Sequence, residues 1–579
     1  MSELFNRLTR DWPARHPPNR SDFATDGKSL RTWLSHLPLA NPQATMRQLL
    51  EALMQMNRQR GDAQQRLDAL ELLRAPVEQL VASLDRQVRM ESFPMPPAKM
   101  QIARTIQDFE RELATGYAQA LYDLCMPSGK VPFLKGKTAA LAATRALQHQ
   151  GNLLGKSYVL YHTPPPGVWQ RIHDVFSVAS VLRVDDKGAA DPQLGGAEMS
   201  PRHAYAHALL LALCNPYRYT QREMAELLAL TRAWAPYCQI GGGHGGTAAF
   251  AVHTELDQGP GYVPEEREAA TEGRLAVDVQ PVRVVIEQQL RLLPAGSESV
   301  AFRVKGGPVM QARRHFVERV LRSWGGSAER GHARLSAGHA LDTVIGLHGL
   351  HYVLAGNEDF DAFLRRVRGQ AISLSERDAV APWASTGSEA RPAIQRARVL
   401  DQSLGGYRLV WEKGDVARAK VGELVGLAPA ADDDEAQDWM VGVIRWIRID
   451  DEEAVDAGVE LLARRAQPVG VASFDPTGQA RAAMRGILLL DQDGDQALTV
   501  LAPHPFDRAV HELELTRPAD PLDWQGQASV HRLGDVSVVD ASNAYQRVLI
   551  GRAPTEQELS EAAYVEETQD AERVDGTGG

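Results

Sequence analysis

At 579 residues the chain exceeds what one hydrophobic core organises, and three or four domains are expected. Its 44% hydrophobic and 24% charged content is that of an ordinary globular protein, and with no run of about 18 apolar residues nothing in it is expected to span a membrane. The formal charge of −11 is concentrated at one end: from Thr555 onward eight acidic residues face one arginine, which leaves a mildly acidic body and argues against a duplex nucleic-acid binder.

Residues 1–40 carry Trp12-Pro13 and Pro17-Pro18 and no apolar h-region, so they read as an extended segment rather than a signal peptide. Residues 41–238 read as an all-helical domain. Ala44–Met56, Gln64–Met90, Lys99–Cys125, Lys137–Val159 and Gly167–Val184 repeat apolar residues at i, i+3 and i+4 with charged opposite faces. Asp185–Glu198 is a polar, glycine-containing break. Ser200 followed by Pro201 then caps and opens a helix through Cys214, and Thr220 caps Thr220–Trp234. Cys125, Cys214 and Cys238 are odd in number and scattered, a pattern that fits reduced thiols in a cytoplasm. The domain's expected role is scaffold or surface for a protein partner.

The helical half holds several fragments of enzyme motifs, and none is complete. His203 and His207 have a metal-ligand spacing, but no glutamate follows the first and no third ligand is evident. Glu51-Ala52-Leu53 and His173-Asp174 echo two phosphodiesterase classes without the remaining acidic or histidine ligands. No order of Ser, His, Cys and Asp marks a nucleophile, so the expectation is a binding protein with no metal and no cofactor.

Residues 239–306 read as a mixed connecting segment. Gly241-Gly-Gly-His-Gly-Gly246 precedes a strand-like Ala248–Thr254 rather than a helix and has no nearby lysine, so it reads as a connector and not as a phosphate loop. From 307 a helix over Pro308–Trp324 leads to Arg330-Gly-His-Ala-Arg334. Gly307–Arg334 carries six arginines against two glutamates, a local field that would draw a small anion. Arg313, Arg314, Arg319 and Arg322 read as a solvated or partner-facing helix surface.

After it come a strand over His339–Leu354, with His348 and His351 on it, and a polar insertion over 356–392 containing a helix candidate, Glu358–Arg368. Arg396–Glu412 follows as two strands about Asp401-Gln402-Ser403-Leu404-Gly405-Gly406. On a strand, Asp401 and Ser403 share one face. Gly406 lets backbone approach closely. The bland alternative is a turn in which Asp and Ser cap backbone groups. Ala419–Leu427, Asp438–Ile449 and Asp456–Leu462 are further strands, the last two joined by a turn at 450–453. Residues 476–553 form a second small β module, with strands over Arg481–Leu490, Ala497–Ala502, Ala509–Thr516 and Gln527–Leu549. Residues 554–579 are an acidic, disordered tail.

The fold class is therefore α+β multidomain: an N-terminal all-helical domain, a β-barrel over 307–475, and a second β module. RxxxR at 330–334 and DxSxxG at 401–406, with short strands around them, resemble the signature of PilZ domains. The whole layout is similar to large PilZ proteins of the FimW type. The resemblance implies a barrel site that binds cyclic di-GMP, with Arg330 and Arg334 on phosphate and guanine and Asp401, Ser403 and Gly406 on the barrel. It also implies a role in surface attachment or pilus-linked motility. Arg334 and Asp401 lie 67 positions apart, more than the family usually places between its motifs, which the 356–392 insertion, a candidate lid, accounts for. The alternative is an adaptor whose PilZ-like barrel no longer binds nucleotide.

Overall fold

A computed structural model of the chain describes residues 2–19, 22–88, 95–126, 128–241, 249–263, 273–294, 297, 299–303, 308–325, 335–368, 391–412, 419–430, 437–450, 453–474, 478–490, 498–503, 512–518, 529–541 and 544–551. The chain divides into two compact units, the first built from Met1–Glu91 and Met95–Ala328, the second chiefly from Glu329–Gly579.

The first unit is helical, as periodicity requires from residue 41 onward, but residues 1–40, read as extended, also hold two short helices. Its helices are α1 (Ser2–Leu8), α2 (Gly27–Ser35), α3 (Pro42–Asn57), α4 (Ala63–Val88), α5 (Pro97–Cys125), α6 (Gly136–Val159), α7 (Val168–Val181), α8 (Pro201–Leu213) and α9 (Gln221–Trp234). Ser200 caps α8 by accepting from the His203 N–H, and Thr220 forms a capping box with Glu223 on α9. Gly116 on α5 lies so close to Asn57 and Leu70 that a Cβ would come within 2.9 Å of the Asn57 amide oxygen, which fixes how α3, α4 and α5 meet.

The break at 185–198 contains a short strand pair, Ala189–Asp191 with Ala197–Met199. It delivers Asp191 into the bundle, where its carboxylate accepts from Arg74 at 3.0 Å and from Arg145 at 2.6 Å. Burial alone would raise the Asp191 pKa. The hydrogen bonds from Arg74 and the charge of Arg145 outweigh it and hold the carboxyl below its ordinary value.

Past α9 the connecting segment forms a four-stranded sheet of Gln239–Gly241, Arg274–Asp278, Phe250–His253 and Gly261–Tyr262, then α10 (Gln280–Arg291). The helix expected over Pro308–Trp324 is half strand. Val309–Arg313 pairs with Ser299–Arg303, and only Arg314–Ser323 is helical, as α11. Its arginines are not all solvated: Arg319 pairs with the buried Glu223 at 2.6 Å and lies 4.5 Å over the Tyr219 ring, and Arg313 pairs with Glu226.

In the second unit the expected first strand, His339–Leu354, breaks in the middle. Ala340–Ile345 is strand, Gly346 turns the chain at φ +90°, and Gly346–Leu354 is helix α12. Ala340–Ile345 pairs with both Leu424–Pro429 and Gln395–Ser403, which closes a six-stranded antiparallel barrel, in order round the ring 340–345, 424–429, 440–449, 455–463, 406–411 and 395–403. Leu335–Ser336 adds a short strand beside Gln395–Ser403. The barrel interior is filled by Val399, Leu409, Trp411, Leu427, Ile444, Ile447 and Val455, each fully buried. The Trp411 indole N–H donates to Thr343 Oγ1 at 2.9 Å.

The second sheet begins earlier than the sequence reading placed it. Ala466–Ser473, left with the barrel there, pairs with Met484–Leu489 and with Glu512–Arg517. Leu498–Ala502, Gln546–Ile550, Val536–Ala541 and Ser529–Gly534 complete seven strands. α12 joins this sheet to the barrel, because Leu350 and Val353 share one core with Val441 and Val443 on one side and Ile487 and Leu501 on the other. The helix expected over Glu358–Arg368 is α13 (Phe360–Arg368), and Arg368 reaches Glu514 at 2.5 Å on the second sheet. The rest of the insertion, 369–390, lies outside the described residues.

Burial shifts the titration of four histidines. Burial pushes His207 and His351 down to about 3 and His173 and His315 down to about 4. A histidine held neutral in the fold but free to protonate when unfolded gives stability above its unfolded pKa, which is lost as pH falls through the interval down to its folded pKa. Stability is therefore expected to decline from about pH 6.5 toward about pH 4, beginning above the carboxylate range. Urea midpoints measured stepwise across that interval test this, and a flat profile down to about pH 5 contradicts it.

Candidate functional site

The DxSxxG residues form the tip of a barrel hairpin. Gln395–Ser403 and Gly406–Trp411 pair through Asp401↔Arg408, Gln402↔Tyr407 and Ser403↔Gly406, with Leu404 and Gly405 as the two-residue loop. Alternation alone would put Val399 and Asp401 on the same face. A bulge between them breaks the alternation, so that Val399 opposes Leu409 in the core while Asp401 opposes Arg408 on the outer surface. The bulge is what turns the motif outward while its strand stays anchored inside.

Gly406 has φ +154°, and a Cβ there would lie 2.0 Å from the Val459 carbonyl oxygen. Only glycine lets this strand end close on its neighbour. The loop is held from the same side, since the Leu461 N–H donates to the Gly405 carbonyl at 2.9 Å. Ser403 Oγ donates weakly to the Gly406 carbonyl at 3.4 Å, so part of the capping role anticipated for this serine is present.

Beside Asp401 on the outer face lies a charged cluster. Arg408 forks onto Asp456, Nε to Oδ1 at 3.0 Å and Nη2 to Oδ2 at 2.7 Å, and Arg448 reaches the same carboxylate at 2.9 Å. Arg408 Nη1 also comes to 3.9 Å from Asp401 Oδ2. The hydrogen bonds that Arg408 donates to Asp456, with the Asp456 and Asp401 charges, raise the Arg408 pKa against the opposing desolvation. Trp446 completes the surface. Its indole lies across Gly458, 1.9 Å from where a Cβ would be, and the Arg408 guanidinium is 5.9 Å from its ring. The face thus offers a carboxylate able to accept two parallel donors, a hydroxyl and a half-buried aromatic ring.

Asp401, Ser403 and Gly406 are therefore brought together, whereas Arg330 and Arg334 lie outside the described residues. The residue after Arg334 is Leu335, and Leu335–Ser336 pairs with Gln402 and Asp401. Sequence reading missed Arg408, Asp456 and Trp446. Arg408 was within reach of it, because a two-residue loop at 404–405 sets Asp401 against Arg408; Trp446 and Asp456 depend on strand order around the barrel. The other motif fragments are structural. His207 Nε2 is 3.1 Å from the Leu228 carbonyl, His173 lies between Tyr205 and the Gln258 carbonyl, Asp174 pairs with Arg7, and Ala52 and Leu53 are buried in α3. His351 is not a barrel-strand residue but packs from α12 between Phe360 and Phe363.

Comparison with known proteins agrees with this architecture. Residues 28–244 match the family described as "Cyclic-di-GMP receptor FimW, N-terminal domain". Residues 249–396 and 384–468 match "Cyclic-di-GMP receptor FimW, middle PilZ domain", so that match takes in the connecting segment as well as the barrel. The chain is 26% identical over 505 residues to the cyclic-di-GMP receptor FimW of Pseudomonas aeruginosa, covering 80% of this chain and 81% of that protein. With both halves matched in order and the barrel closed around DxSxxG, the chain belongs to the FimW-type family of PilZ proteins.

Proposed function

We propose that this chain is a receptor for cyclic di-GMP that signals by binding and performs no catalysis. The observation that carries the reading is the outward turn of Asp401 and Ser403 on a hairpin fixed by Gly406, beside the half-buried Trp446 ring. In this reading Asp401 accepts from guanine N1–H and N2–H, Ser403 holds the same base, and Trp446 offers it a stacking surface. Arg330 and Arg334 close from the segment before Leu335 onto phosphate and guanine. Because that segment joins the two units, ligand binding alters how they pack, which is a route to signalling without chemistry. The helical unit presents the surface for a protein partner. The setting is a bacterial cytoplasm, and the process served is surface attachment or pilus-linked motility, as for the family.

The test is a calorimetric titration of the purified chain with cyclic di-GMP and with cyclic di-AMP. Saturable binding of the first is expected, with the second much weaker because adenine does not present the N1–H and N2–H pair. Asp401→Ala should cost roughly ten- to a hundredfold in affinity for cyclic di-GMP and narrow the gap between the two nucleotides. Equal binding of both by the unaltered protein would take Asp401 off the base edge. No binding of either would leave an adaptor with a silent barrel.

A further inference from the structure

We infer that the loop between α5 and α6 docks the first unit onto an anionic membrane surface. The loop runs from Met126 to Lys135, and at its tip Phe133 is 89% and Leu134 85% exposed. Leu134 has φ +61°, a left-handed conformation that a leucine rarely adopts. The base is tied down: the Gly129 N–H donates to the Cys125 carbonyl at 2.9 Å and Ser128 Oγ to the same carbonyl at 3.0 Å. A pinned base and a strained tip together hold two large apolar side chains out in water.

The charge along the chain through this tip is of one sign. The chain has ten lysines against 53 arginines, and three of the ten are Lys130, Lys135 and Lys137. No acidic residue occurs between Asp123 and Asp174. Lys187 joins the group, its ammonium 2.6 Å from where a Cβ on Gly136 would be. Other cations of the 124–173 stretch are neutralised, Lys156 by Asp85, Arg145 by Asp191 and Arg171 by Asp11. Lys130, Lys137 and Lys187 are exposed and form no ion pair among the described residues, while Lys135 bonds only the neutral Gln64 side chain at 2.9 Å.

Two apolar side chains are far too little for a protein interface, which buries about 800 Å² on each partner and is depleted of lysine. An aromatic and an aliphatic residue at the tip of a loop that carries lysines without ion pairs among the described residues suit the boundary between anionic headgroups and acyl chains. No helix among the described residues is long and apolar enough to cross a membrane, so this attachment is peripheral.

The experiment is vesicle flotation of the full chain, with phosphatidylcholine alone and with phosphatidylcholine plus phosphatidylglycerol. Binding to the anionic vesicles only, weakening as salt is added, is expected. Phe133→Ser/Leu134→Ser and, separately, Lys130→Glu/Lys137→Glu should each lower the bound fraction roughly tenfold. Circular dichroism confirms that the variants stay folded. Failure of the unaltered chain to float with anionic vesicles, or flotation of both folded variants at the unaltered level, overturns the inference. So does a self-association of the unaltered chain that Phe133→Ser abolishes while vesicle binding is absent.

Discussion

Alanine in place of Gly406 is expected to lower cyclic di-GMP affinity by more than a hundredfold while the helical unit stays folded. The added methyl would meet the Val459 carbonyl oxygen at 2.0 Å and the Glu460 Cα at 3.1 Å, both of them backbone. No side chain can rotate aside to make room, so the strands must separate. Separation breaks the Gly406↔Glu460 and Tyr407↔Val459 pairings and the hold of Leu461 on the Gly405 carbonyl. The φ of +154° adds backbone strain of about 1–3 kcal/mol for a residue with a Cβ, and overpacking adds about as much again. The hairpin that presents Asp401 and Ser403 then loses its fixed geometry. Gly338 in the same unit supplies the control, since a Cβ there meets nothing within 4 Å, and Gly338→Ala should bind normally. Calorimetry on both variants decides the matter; unaltered binding by Gly406→Ala would mean that this hairpin is not the site.

The hairpin was readable because its signals are local. Two apolar runs about a polar, glycine-containing step specify two strands and a short turn, and the two-residue loop then fixes which residues face each other. The bulge at 399–401 was not readable. Nothing in RARVLDQS states that alternation fails between Val399 and Asp401; that follows from Val399 meeting Leu409 inside a closed barrel. The misread strand at 339–354 has a similar origin. HALDTVIGLHGLHYVL is mostly apolar, and a short apolar run does not distinguish strand from helix. Leu347, Leu350, Val353 and Leu354 follow helical spacing once Gly346 has turned the chain, but that spacing gains meaning only from the second sheet that α12 packs against. Val309–Arg313 was read as one helix with the residues that follow it, whereas its partner strand at 299–303 decides the outcome. The helical unit was the most legible part, since caps at Ser200 and Thr220 and long 3.6-residue periodicity act within a few turns.

Removal of both guanidinium groups of the RxxxR segment is the second large effect to expect. Each charge-assisted contact contributes about 1.5–3 kcal/mol, so Arg330→Ala or Arg334→Ala alone should weaken cyclic di-GMP binding roughly ten- to a hundredfold. If the two act on separate groups of the ligand, their effects add in free energy and the double variant falls roughly a hundred- to ten-thousandfold. Arginine's planar fork can engage two acceptors at once, whereas lysine offers a point charge. Arg→Lys at each position therefore separates two roles. A lysine that restores affinity marks a residue serving phosphate by charge, and one that does not marks a residue that forks onto guanine O6 and N7 or stacks on a base. Hydrogen exchange gives the structural counterpart: with cyclic di-GMP present, protection should appear across Ser323–Arg334 as well as in the strand that carries Asp401. Protection confined to the Asp401 strand, together with unchanged affinity in the Arg330→Ala/Arg334→Ala variant, would leave a barrel that binds its ligand alone. The segment between the two units would then carry no signal, and the route from ligand to unit packing would have to be abandoned.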